Sequence, residues 1–363
     1  MTGFTVAQLH ALFLHLRIPN SFVVRRRHTF NGEESLLHYL YWNRKGGTKL
    51  EMSRNMFGGD SRRFTYSIRY ISDHLYKTFY HKVSGDSMRM WVPHIESFRR
   101  AIWHKLVTGA TIEEDGRSGD RRQITLDIPF ETFRIFGFID DTGFRTTAPG
   151  REARRVYGFF DDVQRSFYSG YFAGHGMKVQ VVSLPNGMVG SIYIASWRVS
   201  DTGLLNMSDL DTYLTNLFQE YSMQMPIHTR DFPALYGDGI FPNLNVLVSR
   251  DVNVNDETRL RTTVRLNSVR QSIEHLFALH WNIFALFNEP DRFRLLVSGV
   301  EVYKMIFNSF LLLNCYICFN ESLTHFVIRP LSIEEYLPLD EIIPEAPHVP
   351  DDQLGTVYRY HGL

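Results

Sequence analysis

The 363 residues carry 39 basic and 39 acidic side chains, so the formal charge is zero, while 44% are hydrophobic and 14% aromatic. That much apolar material excludes a mainly disordered chain and suffices for two domains, or one large domain with a substantial extension. Two cysteines exclude a disulfide framework and fit a reducing compartment.

The charge is unevenly spread. Up to residue 108 there are 17 Lys or Arg against 7 Asp or Glu, whereas from 331 onward 7 acids face Arg359 alone. A basic front of this kind points either to a nucleic-acid partner or to a solvated helical face. The start lacks a basic region and a small-residue cleavage site. No uninterrupted apolar run reaches the roughly 18 residues that span a bilayer, since Asn308, Ser309 and Asn314 break the closest one. The expectation is a soluble, intracellular protein with no membrane span.

In chain order, apolar spacing predicts a short amphipathic helix over 4–18, ended by Pro19. The basic cluster Arg25-Arg26-Arg27-His28 follows. Asn31-Gly32-Glu33-Glu34 opens a helix over 36–42, with a capping residue and two acids suited to its N-terminus. Arg44-Lys45-Gly46-Gly47 ends it. A short helix over 50–57, the turn Gly58-Gly59-Asp60 and a helix from Ser61 to about His81 give a helix-turn-helix-like shape. Its second helix begins Ser61-Arg62-Arg63. Another helix covers 91–106, and the charged, Gly-rich stretch after it reads as a linker or a mobile loop.

From Phe133 the texture becomes that of strands: 133–140, an interrupted run over 163–169, and 177–184 with 188–197, joined by the hairpin signal Pro185-Asn186-Gly187. A helix over 201–219, strands over 233–236 and 244–248, a long helix over 257–286 and a buried helix over 293–319 complete the pattern. Cys315 and Cys318 lie in this last helix as small core residues. Prolines among acids over 330–350 read as an extended or disordered tail.

Three acids stand out. Asp140 ends the apolar run Phe136-Gly137-Phe138-Ile139, Asp238 follows Leu235-Tyr236-Gly237, and Glu274 sits in the apolar helix Ser272-Ile273-Glu274-His275-Leu276-Phe277. Gly237-Asp238-Gly239 is also ordinary turn chemistry. If the strands ending in Asp140 and Asp238 are parallel neighbours, their carboxylates lie about 4.8 Å apart at strand ends, where α/β sheets place ligands. Acids gathered so closely suit hard cations such as Mg²⁺ or Mn²⁺. Only one of Asp140 and Asp141 can face such a site, because strand residues alternate between faces.

Taken together, Gly137-Phe138-Ile139-Asp140-Asp141-Thr142, Ser200-Asp201, Leu235-Tyr236-Gly237-Asp238 and Ser272-Ile273-Glu274 resemble the catalytic domain of Harbinger-type transposases, which are DDE superfamily endonucleases. Asp140 and Asp238 lie 98 residues apart, Asp238 and Glu274 36 apart. The resemblance covers about residues 130–320, and Phe30-Asn31-Gly32-Glu33-Glu34 with Met56-Phe57-Gly58 resembles the helical region preceding that domain. It implies an α/β fold in which a ribonuclease H-like mixed sheet flanked by helices follows an all-α, helix-turn-helix-like region.

The division expected is a basic DNA-binding region over 1–110, a linker over 111–127, the nuclease over 128–325 and a Pro- and acid-rich tail over 326–363. The resemblance further implies metal-dependent cleavage and strand transfer at transposon ends, with catalysis by Asp140, Asp238 and Glu274. Those three and Asp201 would hold Mg²⁺ or Mn²⁺, although Asp201 can equally be a helix cap. The register of the family selects Asp140 over Asp141. Arg25, Arg26, Arg27, Arg44, Lys45, Arg62, Arg63 and Arg69 are the expected DNA contacts. A Myb-like partner protein, a homo-oligomer on DNA and a nuclear location are implied too. Trp281 stands where a basic residue is common in such proteins.

Overall fold

The computed structural model describes residues 3–25, 28–108, 111–114, 121–124, 126–148, 165, 167–222, 232–249, 257–289, 302–320, 326 and 328–344. The chain is mixed α/β, with an N-terminal helical region followed by a six-stranded sheet flanked by helices.

The first helix, α1 (Val6–His15), starts in a capping box between Thr5 and Gln8. Beyond Pro19 come two short antiparallel strands, β1 (Ser21–Val24) against β2 (His28–Asn31); of the basic cluster, Arg25 directly follows β1 and His28 opens β2. Strands of four residues are too short for an alternation signal to be read in sequence. Phe22 stacks on Phe30, with ring centroids 5.3 Å apart, and on Tyr70 at 3.6 Å. Asn31 then caps α2 (Gly32–Lys45), which leads to α3 (Lys49–Met56), α4 (Ser61–Phe79) and α5 (Ile95–Thr108). Part of the segment expected as a linker forms a small antiparallel pair, β3 (Thr111–Glu114) with β4 (Arg121–Ile124).

β5 (Ile135–Thr146) is the central strand of the main sheet. On one side it pairs antiparallel with β7 (Gly174–Ser183), which in turn pairs with β8 (Val189–Ser196) and the short β6 (Tyr168–Ser169). On its other side β9 (Ala234–Gly237) and then β10 (Leu247–Ser249) run parallel to it. The β7–β8 turn closes with Gly187 N–H donating to Leu184 O at 2.9 Å, and Gly187 takes the left-handed φ of +82° that favours glycine. The helix expected over 201–219 is broken by Asp209, whose φ of +50° separates α6 (Asp201–Ser208) from α7 (Leu210–Ser222). Asp tolerates that region because its short polar side chain bonds locally.

One face of the sheet, carrying Phe138 and Tyr236, packs with Ile102 and Leu106 of α5 and with Leu266 and Ile273 of α8 (Glu257–Ile283). Two polar contacts fix the register of α8: Tyr236 Oη donates to Asn267 Oδ1 at 2.9 Å, and Arg265 donates to Leu106 O at 2.6 Å.

The helix expected over 293–319 is seen as α9 (Val302–Asn320). It is long and apolar enough to cross a membrane, and 72% of its apolar window is buried inside the protein. Its polar residues are the joints. Asn308 donates to Ser72 O of α4 at 2.9 Å, His280 of α8 bonds Ser309 Oγ at 2.7 Å, and Asn314 bonds both backbone groups of Val189. Cys315 is buried without a disulfide, and burial pushes its thiol well above the usual value.

The first half of the outer edge of β8 is closed by groups from elsewhere. Ile192 N–H donates to Val83 O at 2.7 Å, Ser87 Oγ donates to Gly190 O, and Asn314 serves Val189.

Residues 328–344 are packed where the sequence suggested an extended tail. Ser332 caps α10 (Ile333–Tyr336), and Ile333, Tyr336 and Leu337 are buried. Carbonyl groups beside the prolines are taken up by Arg17, which donates to Pro338 O at 2.8 Å and Glu341 O at 2.9 Å. Lys82 pairs with Glu341 at 2.8 Å. Three buried apolar side chains within five residues outweigh the breaker composition around them. The remainder of the expected tail, 345–363, lies outside the described residues.

His280, stacked on Phe310 and ringed by Phe144, Phe284 and Phe287, is held neutral by burial down to about pH 3. The unfolded chain takes up that proton near 6.5, so between these values the unfolded state binds more protons and stability falls as the pH is lowered. Between pH 6.5 and 5 this one group should remove about 2 kcal/mol of unfolding free energy. Denaturant melts at pH 7 and 5 check it: His280→Phe should lose less on acidification than the parent. Equal losses in the two proteins would remove His280 as the cause.

Candidate functional site

Asp140 and Asp238 are brought together by the parallel pairing of β5 and β9. Gly137 lies opposite Leu235 and Phe138 opposite Tyr236, and continuing this register by two residues sets Asp140 opposite Asp238. Paired residues project to the same face, about 4.8 Å apart. Asp238 leaves β9 in a turn closed by Phe241 N–H donating to Asp238 O at 3.0 Å. The Phe241 ring lies where a Cβ on residue 237 would sit, 2.7 Å away, which is why Gly237 precedes the acid. Gly239 N–H donates to Asp238 Oδ1 at 2.6 Å. The turn chemistry seen in the sequence is therefore the device that presents the carboxylate.

Glu274 arrives on α8, exposed above the same face. Its link to Asp140 is Arg270, one helical turn earlier. Arg270 donates to Asp140 Oδ2 at 2.5 Å and to Glu274 Oε1 at 3.3 Å. The other oxygen of Asp140 accepts from Asp141 N–H at 2.9 Å. Burial pushes the Asp140 carboxyl above its usual range, the Arg270 guanidinium pulls it back, and the charge of Asp238 adds to the rise. Arg270 was not singled out from the sequence, although an Arg four residues before a Glu on one helix is a readable pair.

Asp141 points to the opposite face, as strand alternation requires. There it meets Asp201 of α6, which is ion-paired with Lys178 of β7. Burial first, and then the charge of Asp201, pushes Asp141 up to about 8. The cap of α6 is Ser200, accepting from Gly203 N–H at 3.1 Å, so Asp201 is a first-turn acid and not the cap itself. Its partners are Lys178 and Asp141; the sheet separates this pair from the group formed by Asp140, Asp238, Arg270 and Glu274.

The oxygen-only donors Asp140, Asp238 and Glu274 are of the kind that Mg²⁺ or Mn²⁺ takes, and the guanidinium of Arg270 already stands among them as a positive charge. Among the described residues, no three His, Cys, Asp or Glu side chains come close enough together to hold a metal ion as they stand.

Of the expected DNA contacts, Arg62 and Arg63 lie in the first turn of α4, Arg69 stands two turns further on and is half-buried, and Arg25 follows β1. Arg25 lies over the ring of Tyr66 at 5.0 Å and Arg63 over that of Phe30 at 5.2 Å. The hairpin covers Tyr66 and Tyr70, while Ser61 and Arg62 in the first turn of α4 are exposed. The backbone donors there are already used, since Asp60 accepts from Arg62 and Arg63 N–H, both at 3.0 Å. Contact with phosphates would thus rest on the arginine side chains. Arg44 and Lys45 stand at the far end of α2, about 21 Å from its capped start at 1.5 Å per residue, and do not join this patch. Arg26 and Arg27 lie outside the described residues. Replacing Arg62 and Arg63 together by alanine should weaken duplex DNA binding and lower the slope of log affinity against log salt by about 2. Filter binding across a salt series measures it, and an unchanged slope would exclude this patch.

Protein-family models, curated proteins and solved structures yield no match to this chain.

Proposed function

We propose that this chain is a DDE endonuclease of the Harbinger transposase type, cutting DNA phosphodiester bonds with Mg²⁺ or Mn²⁺ and joining strands at transposon ends. The observation that carries the reading is the opposition of Asp140 and Asp238 on parallel neighbours, with Glu274 tied to Asp140 through Arg270. A sheet in the order β8-β7-β5-β9-β10, antiparallel through β5 and parallel beyond it, supports a ribonuclease H-like core.

Asp140, Asp238 and Glu274 would hold such a cation, which would supply Lewis-acid activation of the attacking oxygen and stabilisation of the leaving one. The chain's own part is to hold the carboxylates on one face, with Asp140 and Asp238 as the fixed pair and Glu274 on the helix above them. Water and then a 3′-hydroxyl serve as nucleophiles, with no covalent intermediate on the protein. Arg25, Arg62, Arg63 and Arg69 form the DNA contact. The same reading brings a homo-oligomer on DNA, a Myb-like partner and a nuclear location.

A second reading, a domesticated DNA-binding or adaptor protein that no longer cuts, draws on two observations. Arg270 occupies the space between Asp140 and Glu274, and Trp281 packs against Phe144 at 4.7 Å where a cationic side chain is common. Incubating the purified chain with supercoiled DNA and Mg²⁺, Mn²⁺ or EDTA separates the two. Nicking that requires the metal supports the nuclease; DNA binding without nicking under any metal supports the adaptor.

A further inference from the structure

Contacts that do not involve Arg270 hold α8 to the sheet and to α5: Tyr236 with Asn267, Arg265 with Leu106, and the apolar contacts of Leu266 and Ile273. The Arg270 guanidinium lies instead across two of the acids, and its side chain is only 15% exposed. Asp140 has one oxygen engaged by the backbone N–H of Asp141, so the oxygen that Arg270 occupies is the one left to face a ligand.

We infer that Arg270 is a resident counter-cation that competes with divalent metal for Asp140 and Glu274, so that loading the site and withdrawing the guanidinium are one event. This rests on the metal-site reading above. Asp140 on β5 and Glu274 on α8 both lie against the Arg270 guanidinium, and carboxylates gathered this closely repel unless a positive charge stands among them. Arg270 supplies that charge and spans both acids with its planar fork, which a point charge on a lysine stem cannot do. A divalent cation offers stronger neutralisation, but it must first displace a charge-assisted hydrogen bond to Asp140. The affinity of the site is therefore lower than its acids alone would give.

The test is Mn²⁺ binding without DNA, followed by calorimetry and by the free-ion electron paramagnetic resonance signal, on the full chain. Arg270→Gln should bind Mn²⁺ about tenfold more tightly than the parent, the ratio expected when a charged hydrogen bond no longer has to be broken. Arg270→Lys, which keeps the charge but loses the fork, should fall between the two and keeps the test available if the glutamine variant does not fold. Without metal, Arg270→Gln should melt below the parent, and Mn²⁺ should close the gap. Mn²⁺ binding equal to or weaker than the parent in both variants, while Asp238→Asn abolishes it, overturns the competition and leaves the metal site standing. Absence of Mn²⁺ binding in the parent and both variants overturns the metal site and the competition together.

Discussion

Asp238→Asn is expected to lower metal-dependent DNA nicking by about 10²- to 10⁴-fold, the range that a positioned catalytic group contributes, while DNA binding stays unchanged. The substitution is a narrow one. An asparagine carbonyl can still accept from Gly239 N–H, and the turn closed by Phe241 is a backbone feature, so the loop keeps its shape and only the negative charge is lost. The basic patch on α4 belongs to a different part of the fold, so cutting and binding should separate cleanly. Nicking of supercoiled DNA in Mn²⁺ reads the first, and filter binding reads the second. Asp238→Asn protein that cuts at the parental rate would remove the acid from the chemistry. Asp201→Asn is the internal comparison. With its partners Lys178 and Asp141 on the far face, it should affect nicking far less, and a loss equal to that of Asp238→Asn would mean that the working site spans the sheet.

Asn314→Ala should cost about 3–5 kcal/mol of stability, placing it among the severe single substitutions. Asn314 is fully buried in the middle of an apolar helix, and its amide is used on both sides. Oδ1 accepts from Val189 N–H at 2.7 Å, and Nδ2 donates to Val189 O at 2.9 Å and to Tyr336 Oη at 3.0 Å. Alanine leaves a buried N–H and a buried C=O without partners and opens a small cavity as well. Tyr336→Phe removes just the hydroxyl of this network and should cost about 1 kcal/mol. Chemical denaturation of the two variants decides the point: if Asn314→Ala costs no more than Tyr336→Phe, the side chain is not holding β8.

The acids could be read before the fold was seen because each carries a local mark. Asp140 and Asp238 end apolar runs, and Glu274 is the acid among apolar helical positions. Sequence also yields the β7–β8 hairpin and the order of strand and helix around it, since periodicity and turn chemistry are local properties. What it hides is long-range. The hairpin at Ser21–Asn31 is stabilised by Phe22 against Tyr70 of α4, a contact that no window of a dozen residues contains. Tyr336 and Leu337 were lost in a background of prolines and acids because their burial depends on Lys82, His15 and Asn314. The neighbours of Asp201 could not be read for the same reason. Lys178 lies on a strand paired with β5, and only that pairing brings it and Asp141 to one place. The polar residues of α9 were visible as interruptions, while the partner of each lies on a different element.

The closed edge of β8 has a consequence for how copies of this chain meet. An exposed strand offers a template to any strand of another molecule, and proteins that do not block it risk aggregation. Here Val83, Ser87 and Asn314 occupy the outward backbone groups of Val189, Gly190 and Ile192, and none of the three belongs to a strand of this sheet. Along Val189–Ile192 the sheet therefore offers no free backbone template for strand addition. Losing Asn314 would reopen the template as well as weaken the fold, so its variant should aggregate more steeply with concentration than other variants of equal stability.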